Sequence, residues 1–319
     1  MSDLSQRTIH AGNRWSDVVT VAGEWILALF GFRRRRVTHD GIEFEVLEGR
    51  GRGGPDVVLL HGLGDRNSTW HRLLWRMRLG RWGRIYAPDL TGFGRTLLPE
   101  GRTLPTMDEG LGLMRGVIAQ MTDKPPILVG NSLGGWLAWR FVLRYPESAL
   151  GCLLLAPGGF MERRELKPLV GRFLHGERNE MTDAIMADAR PEMRFFALRI
   201  IGHMLESPMV EVVVEQDSSE LLCEPGELAA IADRVRCLWG ELDTLMPESG
   251  LPMLREELGD HLVVEPIGHA PQQTRPGMVL RELKALHEQL TQVEPSVLAG
   301  EPAGRLDEPE DALEPPSRV

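Results

Sequence analysis

Three side chains that could together perform nucleophilic catalysis occur in the order Ser132, Asp243 and His269. A serine hydroxyl becomes an effective nucleophile when an imidazole accepts its proton and a carboxylate orients that imidazole. Each of the three follows a short apolar run of the kind that forms a buried strand. If these runs are parallel strands of one sheet, the sheet delivers the three side chains to the same edge. The chemistry expected from such a set is acyl transfer through a covalent ester of the serine.

The serine lies at the centre of a Gly-x-Ser-x-Gly pattern over residues 130–134, between the apolar run 126–129 and the helix-like run 136–143. Glycines on both sides of a serine allow the sharp strand-to-helix turn called a nucleophile elbow, which exposes the hydroxyl. The N-terminus of the following helix favours an oxyanion. Structural Gly/Ser turns show the same five-residue pattern, so its context has to decide between the two interpretations.

A glycine-rich turn at residues 61–65 follows the apolar strand predicted over residues 56–60. Dinucleotide binding would require a third glycine at position 67, where the sequence has Asn67. The other interpretation is an oxyanion loop, in which the backbone N–H of Leu63 faces a reacting carbonyl. His61 invites a catalytic assignment, but its position at a strand end before a glycine turn favours a role in loop structure.

Strands alternate with helices from residue 42 to residue 160, a pattern of βαβ units. This pattern predicts the α/β class, with a mainly parallel sheet and helices on both faces. Residues 161–232 are helix-like without apolar strands of the same kind, and we interpret them as an inserted helical lid. The core is therefore expected to comprise residues 37–160 and 233–292.

Residues 1–36 are predicted to form an amphipathic helix followed by a basic run. Apolar residues from Trp15 to Phe30 fall at helical spacing, and four consecutive arginines, at positions 33–36, come next. The apolar stretch 18–32 has 15 residues and contains Glu24, which makes it short for a membrane span, and no small-residue cleavage site precedes the arginines. Two interpretations stay open: a helix lying on an anionic membrane surface, or a helix docked on the domain with solvated arginines.

The composition excludes several classes of protein. The 319 residues carry a formal net charge of −10, which argues against a nucleic-acid partner. Half of that charge belongs to residues 294–319, with seven acidic and two basic side chains, and we predict a disordered acidic tail over residues 293–319. Cys152, Cys223 and Cys237 form neither a CxxC pair nor a Cys/His cluster. We therefore expect a cytoplasmic protein without a metal or cofactor, whose only further contact would be with an anionic membrane through residues 15–36.

Five motifs, taken in order, resemble those of the α/β-hydrolase-fold serine hydrolases, specifically the lidded branch of esterases and lipases. The resemblance covers about residues 37–292 and implies Ser132 as nucleophile, His269 as base and Asp243 as orienting acid. It also implies an oxyanion hole formed by the N–H groups of Leu63 and Leu133. The motifs are His61-Gly62-Leu63-Gly64, Asp89-Leu90-Thr91-Gly92-Phe93-Gly94, Gly130-Asn131-Ser132-Leu133-Gly134-Gly135, Trp239-Gly240-Glu241-Leu242-Asp243 and Gly268-His269-Ala270-Pro271.

The function expected from this resemblance is hydrolysis of carboxylic esters of largely apolar small molecules through an acyl-enzyme. The lid and the leucines and tryptophans at the strand ends would line an apolar cleft. The same fold supports other chemistry, so two alternatives are kept. One is a carbon–carbon bond hydrolase of ring-cleavage (dienone) products, which share the Gly-Asn-Ser-x-Gly-Gly elbow. The other is a catalytically silent binding protein, against which the complete set of catalytic residue types weighs.

Overall fold

A mainly parallel sheet runs through the computed structural model, which describes residues 23, 25–78, 80–103, 105–190 and 218–292. Its strands are β1 (Arg33–His39), β2 (Ile42–Arg50), β3 (Val57–Leu60), β4 (Arg84–Pro88), β5 (Ile127–Asn131), β6 (Gly151–Leu155), β7 (Val235–Gly240) and β8 (Leu262–Glu265). The order across the sheet is β1-β2-β4-β3-β5-β6-β7-β8. The β1–β2 and β2–β4 pairs are antiparallel and the other pairs are parallel. The predicted α/β class is thereby confirmed.

Helices connect these strands. They are α1 (His71–Met77), α2 (Met107–Met121), α3 (Leu133–Arg144), α4 (Arg163–His175), α5 (Arg178–Ile185), α6 (Gly250–Leu258), α7 (Pro271–Thr274) and α8 (Pro276–Gln292). Residues 25–29 are also helical, and 3-10 turns occur at Asn67–Trp70, Ser218–Leu221, Ala229–Arg234 and Gly259–His261. A capping box starts α2: the Thr106 hydroxyl accepts from the Glu109 N–H, and the Glu109 carboxylate accepts from the Thr106 N–H. In the described part of the chain, no helix combines the length and apolar character needed to cross a membrane.

Both faces of the sheet are buried, which explains why its central strands read as continuous apolar runs. Val58 and Leu60 of β3 contribute to a hydrophobic cluster with α2 and α3, whereas Val57 and Leu59 contribute to a second cluster with α1 and α8. Successive side chains of a strand point to opposite faces, so a strand covered on both sides must be apolar at every position. The predicted arrangement of helices on both faces is confirmed.

The basic run at residues 33–36 lies in β1, the outermost strand of the sheet. The prediction that places this run outside the core is wrong. Two nearly buried carboxylates on β2, those of Glu45 and Glu48, are neutralised by these arginines; the Arg34 guanidinium, for example, lies 2.9 Å from Glu45. A buried carboxylate requires a charged partner, whereas four adjacent arginines show no strand-like alternation in the sequence. The sheet therefore begins at Arg33 rather than at Val37.

The chain between β6 and β7 carries helices α4 and α5, and the described portions of this interval add no strand to the sheet. The predicted lid, residues 161–232, occupies this interval. Its residues 191–217 lie outside the described residues, as do residues 1–22 of the predicted N-terminal helix and the predicted acidic tail from residue 293 to residue 319.

Candidate active site

Ser132 lies between β5 and α3, in the turn that the flanking glycines predict. Its backbone has φ 54° and ψ −116°, a left-handed conformation that costs a residue with a side chain about 1 to 3 kcal/mol. Hydrogen bonds hold this conformation: the Ser132 N–H donates to the Leu155 carbonyl at 3.0 Å, and the Ser132 carbonyl accepts from the N–H groups of Trp136 and Gly158. Strained residues fixed in this way cluster at functional sites.

Asp243 and His269 are in direct contact. The Asp243 Oδ2 atom lies 2.7 Å from His269 Nδ1, and both side chains are almost fully buried. The other carboxylate oxygen, Oδ1, accepts from the N–H groups of Leu245 and Met246 at 3.0 and 3.2 Å. Since a carboxylate only accepts hydrogen bonds, the proton of a neutral His269 is on Nδ1, and Nε2 carries the lone pair.

The two predicted oxyanion donors flank the serine. Leu133 is the first residue of α3, so its N–H has no acceptor within the helix. Leu63 lies in a turn in which the Asp65 N–H donates to the Gly62 carbonyl at 3.2 Å. Gly62 lies so close to the serine that an added Cβ would be 3.3 Å from Ser132 Cβ. The loop after β3 and the elbow after β5 therefore meet, as the motifs predict.

A narrow cavity of about 50 Å³ is lined by three of the predicted residues, Ser132, His269 and Leu63. Asp243 lies behind His269 and does not line the cavity, and neither does Leu133. This volume is well below the roughly 300 to 1,000 Å³ of ordinary small-molecule sites. Phe173 of α4 and Ile185 of α5 form part of the cover over the site. The cavity is lined by Gly62, Leu63, Gly64, Asp65, Asn131, Ser132, Phe173, Ile185, Leu245, His269, Ala270 and Gln273.

Asn131, the last residue of β5, connects this strand to residues 266–270 after β8, which carry His269 and which we call the histidine loop. Sequence reasoning missed this role. The Asn131 side-chain amide donates to the carbonyls of Leu155 and His269 at 3.0 and 2.9 Å, and its Oδ1 accepts from the Gln272 amide at 2.9 Å. A buried amide is stable only when such bonds are made. The one signal in the sequence was a polar residue at the end of an apolar strand, directly before the serine.

The segment after β6 also holds the histidine loop. The Ala270 N–H donates to the Ile185 carbonyl at 3.2 Å, and the Gly268 N–H donates to Asp188 Oδ1 at 3.0 Å. These two donors flank His269 in the sequence, so α5 and the residues after it fix the backbone on both sides of the imidazole. Nothing in the sequence pointed to Asp188.

Two further motif residues support the loops around the site. His61 is fully buried; its Nε2 accepts from the Leu90 N–H at 2.9 Å, and its Nδ1 donates to the Gly62 carbonyl at 2.8 Å. Asp89 accepts from the N–H groups of Asn67 and Arg95, and burial raises the pKa of its carboxyl to about 7. Among the described residues, no group of three or more His, Cys, Asp or Glu side chains is arranged to hold a metal ion.

Comparisons with known proteins agree with this architecture. The family model for the alpha/beta hydrolase family matches residues 57–282. A curated relative, the pimeloyl-[acyl-carrier protein] methyl ester esterase of Aeromonas salmonicida, is 29% identical over 238 residues, which cover 68% of this chain and 89% of the relative.

Solved structures share the same fold. A bacterial membrane phospholipase A matches with a TM-score of 0.72 and 23% identity, covering 88% of this chain and 93% of that protein. The 2-hydroxy-6-oxo-6-phenylhexa-2,4-dienoate hydrolase of Rhodococcus sp. strain RHA1 matches with a TM-score of 0.66 and 22% identity, covering 81% and 99%. Because the family model spans most of the chain, the chain belongs to the alpha/beta hydrolase family, and its similarity to named esterases identifies it as an ester-hydrolysing enzyme, as its motifs predict.

Proposed function

We propose that this chain is a serine esterase that cleaves carboxylic esters of largely apolar substrates through an acyl-enzyme. The observation that carries the proposal is the 2.7 Å contact between His269 Nδ1 and Asp243 Oδ2, beside a cavity that Ser132 also lines. The curated relative from Aeromonas salmonicida, a methyl ester esterase by name, supports the choice of ester substrates.

In this mechanism, Nε2 of His269 takes the proton of the Ser132 hydroxyl as the serine oxygen attacks the ester carbonyl. Asp243 stabilises the imidazolium that forms and keeps Nδ1 protonated. The N–H groups of Leu63 and Leu133 stabilise the negative oxygen of the tetrahedral intermediate. His269 then gives its proton to the departing alcohol, and a water molecule activated by the same imidazole hydrolyses the acyl-serine.

Apolar side chains on the cover favour an apolar acyl group. Phe173, Ile185 and Leu245 line the cavity around Ser132 and His269, and burying an aliphatic chain against them contributes about 0.8 kcal/mol per methylene. Since the cavity is too small for such a chain, we propose that residues 161–232 act as a lid that opens for the substrate.

The test compares Ser132→Ala with Ser148→Ala, a matched substitution in the turn after α3, on p-nitrophenyl esters of increasing chain length. Ser132→Ala should lower kcat at least about 10³-fold and abolish labelling by a fluorophosphonate probe. Ser148→Ala should leave both unchanged. Equal activity of the two variants would refute the assignment of Ser132.

The same assay separates the alternatives. Turnover of a dienone substrate without turnover of any ester would replace the esterase by a carbon–carbon bond hydrolase. A wild-type protein that turns over neither and resists the fluorophosphonate would be a silent binding protein of this fold.

A peripheral membrane contact forms a second part of the proposal, with the catalytic domain in the cytoplasm. Four apolar side chains at residues 25–30 are exposed, among them Trp25 at 71% and Leu29 at 80%; we call this group, with Ile26 and Phe30, the N-terminal apolar surface. Arg72 and Arg76 of α1 border Ile26 in a shared surface depression. Apolar side chains beside cations suit an anionic lipid surface. The arginines of β1 are paired with glutamates and add little to this contact.

A further inference from the structure

A second and much larger cavity, of about 650 Å³, is lined by Thr274 and Arg275, which directly follow Gln273 of the smaller cavity in the chain. Its walls come from α1, from the residues after α5 and from the start of α8. The volume lies within the usual range of small-molecule sites, roughly 300 to 1,000 Å³. Most of its charged wall consists of arginines, and its polar lining includes Arg72, Arg76, Asp188, Arg190, Thr274 and Arg275.

The charge of this arginine cavity is strongly positive. Four arginines face one aspartate, so the lining carries a net charge of +3 (4 − 1) in a chain whose total is −10. Asp188 is already engaged, because one of its oxygens accepts from the Gly268 N–H and the other lies 3.0 Å from Arg275 Nε. The pKa of Arg72 is lowered, first by burial and then by repulsion from Arg76, Arg190 and Arg275. Cations gathered in this way favour an anionic ligand.

The arginine cavity is adjacent to the catalytic histidine along the chain. Arg72 donates to the Gln273 carbonyl, and Gln273 also lines the smaller cavity that contains Ser132 and His269. Ala270 and α7, a helix of four residues and about 6 Å in length, separate His269 from Arg275. A substrate held by its ester at Ser132 could therefore place a group several bonds away among the arginines.

We propose that the arginine cavity binds a phosphate group that the substrate carries at a position remote from the acyl bond that is cleaved. The guanidinium fork matches phosphate oxygens in pairs, and four arginines can neutralise a doubly charged phosphate better than they match a single carboxylate. This inference rests on the proposed esterase function and specifies its substrate class. The phosphate belongs either to a lipid headgroup or to the arm of a soluble acyl carrier, and both present the same chemistry to the cavity.

Binding is tested without turnover, by titrating phenyl phosphate into full-length Ser132→Ala protein. The double variant Arg76→Gln/Arg190→Gln removes two of the arginines and leaves the Arg72–Gln273 and Arg275–Asp188 contacts in place. It should raise the Kd for phenyl phosphate at least tenfold. The control Arg163→Gln/Arg255→Gln makes the same change of charge at exposed positions on α4 and α6 and should leave the Kd unchanged. Equal losses in both double variants, or benzoate binding as tightly as phenyl phosphate, would overturn the phosphate site.

Turnover then identifies the source of the phosphate. An acylglycerol 3-phosphate is compared with the neutral acylglycerol, and an acyl phosphopantetheine thioester with its neutral cysteamine analogue. For each pair, we divide the kcat/KM of the phosphate-bearing substrate by that of its neutral analogue. For one pair, this ratio should fall at least tenfold in Arg76→Gln/Arg190→Gln. The ratio should stay constant in the control variant. If neither ratio changes although phenyl phosphate binding does, the substrate assignment is wrong. If no ester is hydrolysed at all, the esterase proposal fails, while the phenyl phosphate titration still decides whether the cavity is a phosphate site.

Discussion

Two buried histidines lie at strand ends near the candidate site, and their hydrogen bonds separate their roles. Both ring nitrogens of His61 are bonded to backbone groups, those of Gly62 and Leu90. His269 instead uses one nitrogen for the Asp243 carboxylate. An imidazole bonded to the backbone at both nitrogens cannot exchange a proton with a substrate, so His61 supports the loop after β3 and His269 is the candidate base.

The burial of His61 should make the protein sensitive to mild acid. Burial lowers the pKa of His61 from 6.5 to about 4, because the imidazolium is poorly solvated inside the protein. Between these values the unfolded chain binds a proton that the native chain does not, so stability falls as the pH falls. The contribution of His61 is fully present above pH 6.5 and is lost as the pH approaches 4, with a span of roughly 3 kcal/mol.

The measurement is urea unfolding of the wild type and of His61→Asn between pH 7.5 and 4.5. The asparagine side chain would keep a donor for the Gly62 carbonyl but cannot titrate, so the variant should be less stable at pH 7.5 and should lose less stability on acidification. Both proteins contain the same carboxylates, so the difference between their slopes of unfolding free energy against pH reports the contribution of His61. Identical slopes would contradict the assignment.

At the scale of the element, the nucleophile elbow depends on two close backbone approaches. An added Cβ at Gly130 would lie 2.0 Å from the Gly134 carbonyl oxygen, and one at Gly134 would lie 2.1 Å from the Leu60 carbonyl oxygen. Helix α3 thus starts in direct contact with the ends of β3 and β5. Only glycine permits this approach, because the clashing atoms are backbone carbonyl oxygens, one in α3 and one in β3, and cannot rotate away.

Replacing Gly134 by alanine should therefore destabilise the fold by about 1 to 3 kcal/mol, as overpacking of a core does, and lower kcat by displacing the oxyanion loop. Gly112→Ala is the matched control, because a Cβ at this position of α2 meets nothing within 4 Å. It should raise stability by about 0.5 to 1 kcal/mol through helix propensity. Urea midpoints and ester turnover of the two variants give the comparison. A Gly134→Ala protein as stable as the control would mean that the elbow tolerates a side chain.

At the scale of the molecule, the segment between β6 and β7 both lines the cavity and positions the histidine loop. The bonds from Ala270 to Ile185 and from Gly268 to Asp188 fix the histidine loop from outside the sheet. Replacing residues 161–232 by a short linker would remove these bonds together with the apolar wall of the cavity. We therefore expect a deletion to alter the histidine geometry together with any effect on substrate preference, and substitutions of single lining residues to separate the two effects.

The N-terminal apolar surface should bring the whole molecule to anionic vesicles. Leu29→Ser removes a side chain that is 80% exposed there, and Leu97→Ser makes the same change at a position that is 56% exposed in the loop between β4 and α2. Leu29→Ser should lower the partition coefficient about tenfold, which corresponds to about 1.4 kcal/mol, at least about half of the energy of burying a leucine side chain. Leu97→Ser should leave it unchanged.

Flotation with anionic and with neutral vesicles, at low and high salt, is the measurement. Binding should weaken as salt shortens the screening length around Arg72 and Arg76. Equal recovery of wild type and Leu29→Ser in the soluble fraction would favour a surface that does not contact membranes.

The sequence alone determined the parts of this protein that depend on neighbouring residues. Continuous apolar runs before Ser132, Asp243 and His269 indicated parallel strands, and such strands end at one edge. Gly130 and Gly134, each two residues from the serine, indicated the strand-to-helix turn. Those inferences succeed because strand burial and turn geometry are local: they follow from which side chains a short stretch can place in water or in a core.

Only the tertiary structure decided which distant groups complete these elements. The arginines of β1 join the sheet because Glu45 and Glu48, on another strand, need their charge. Asp188 reaches the histidine loop across 80 residues of chain, and Arg72 reaches Gln273 across 201. A buried polar group must find its partner wherever the fold places it, so these contacts left no periodic pattern in the sequence.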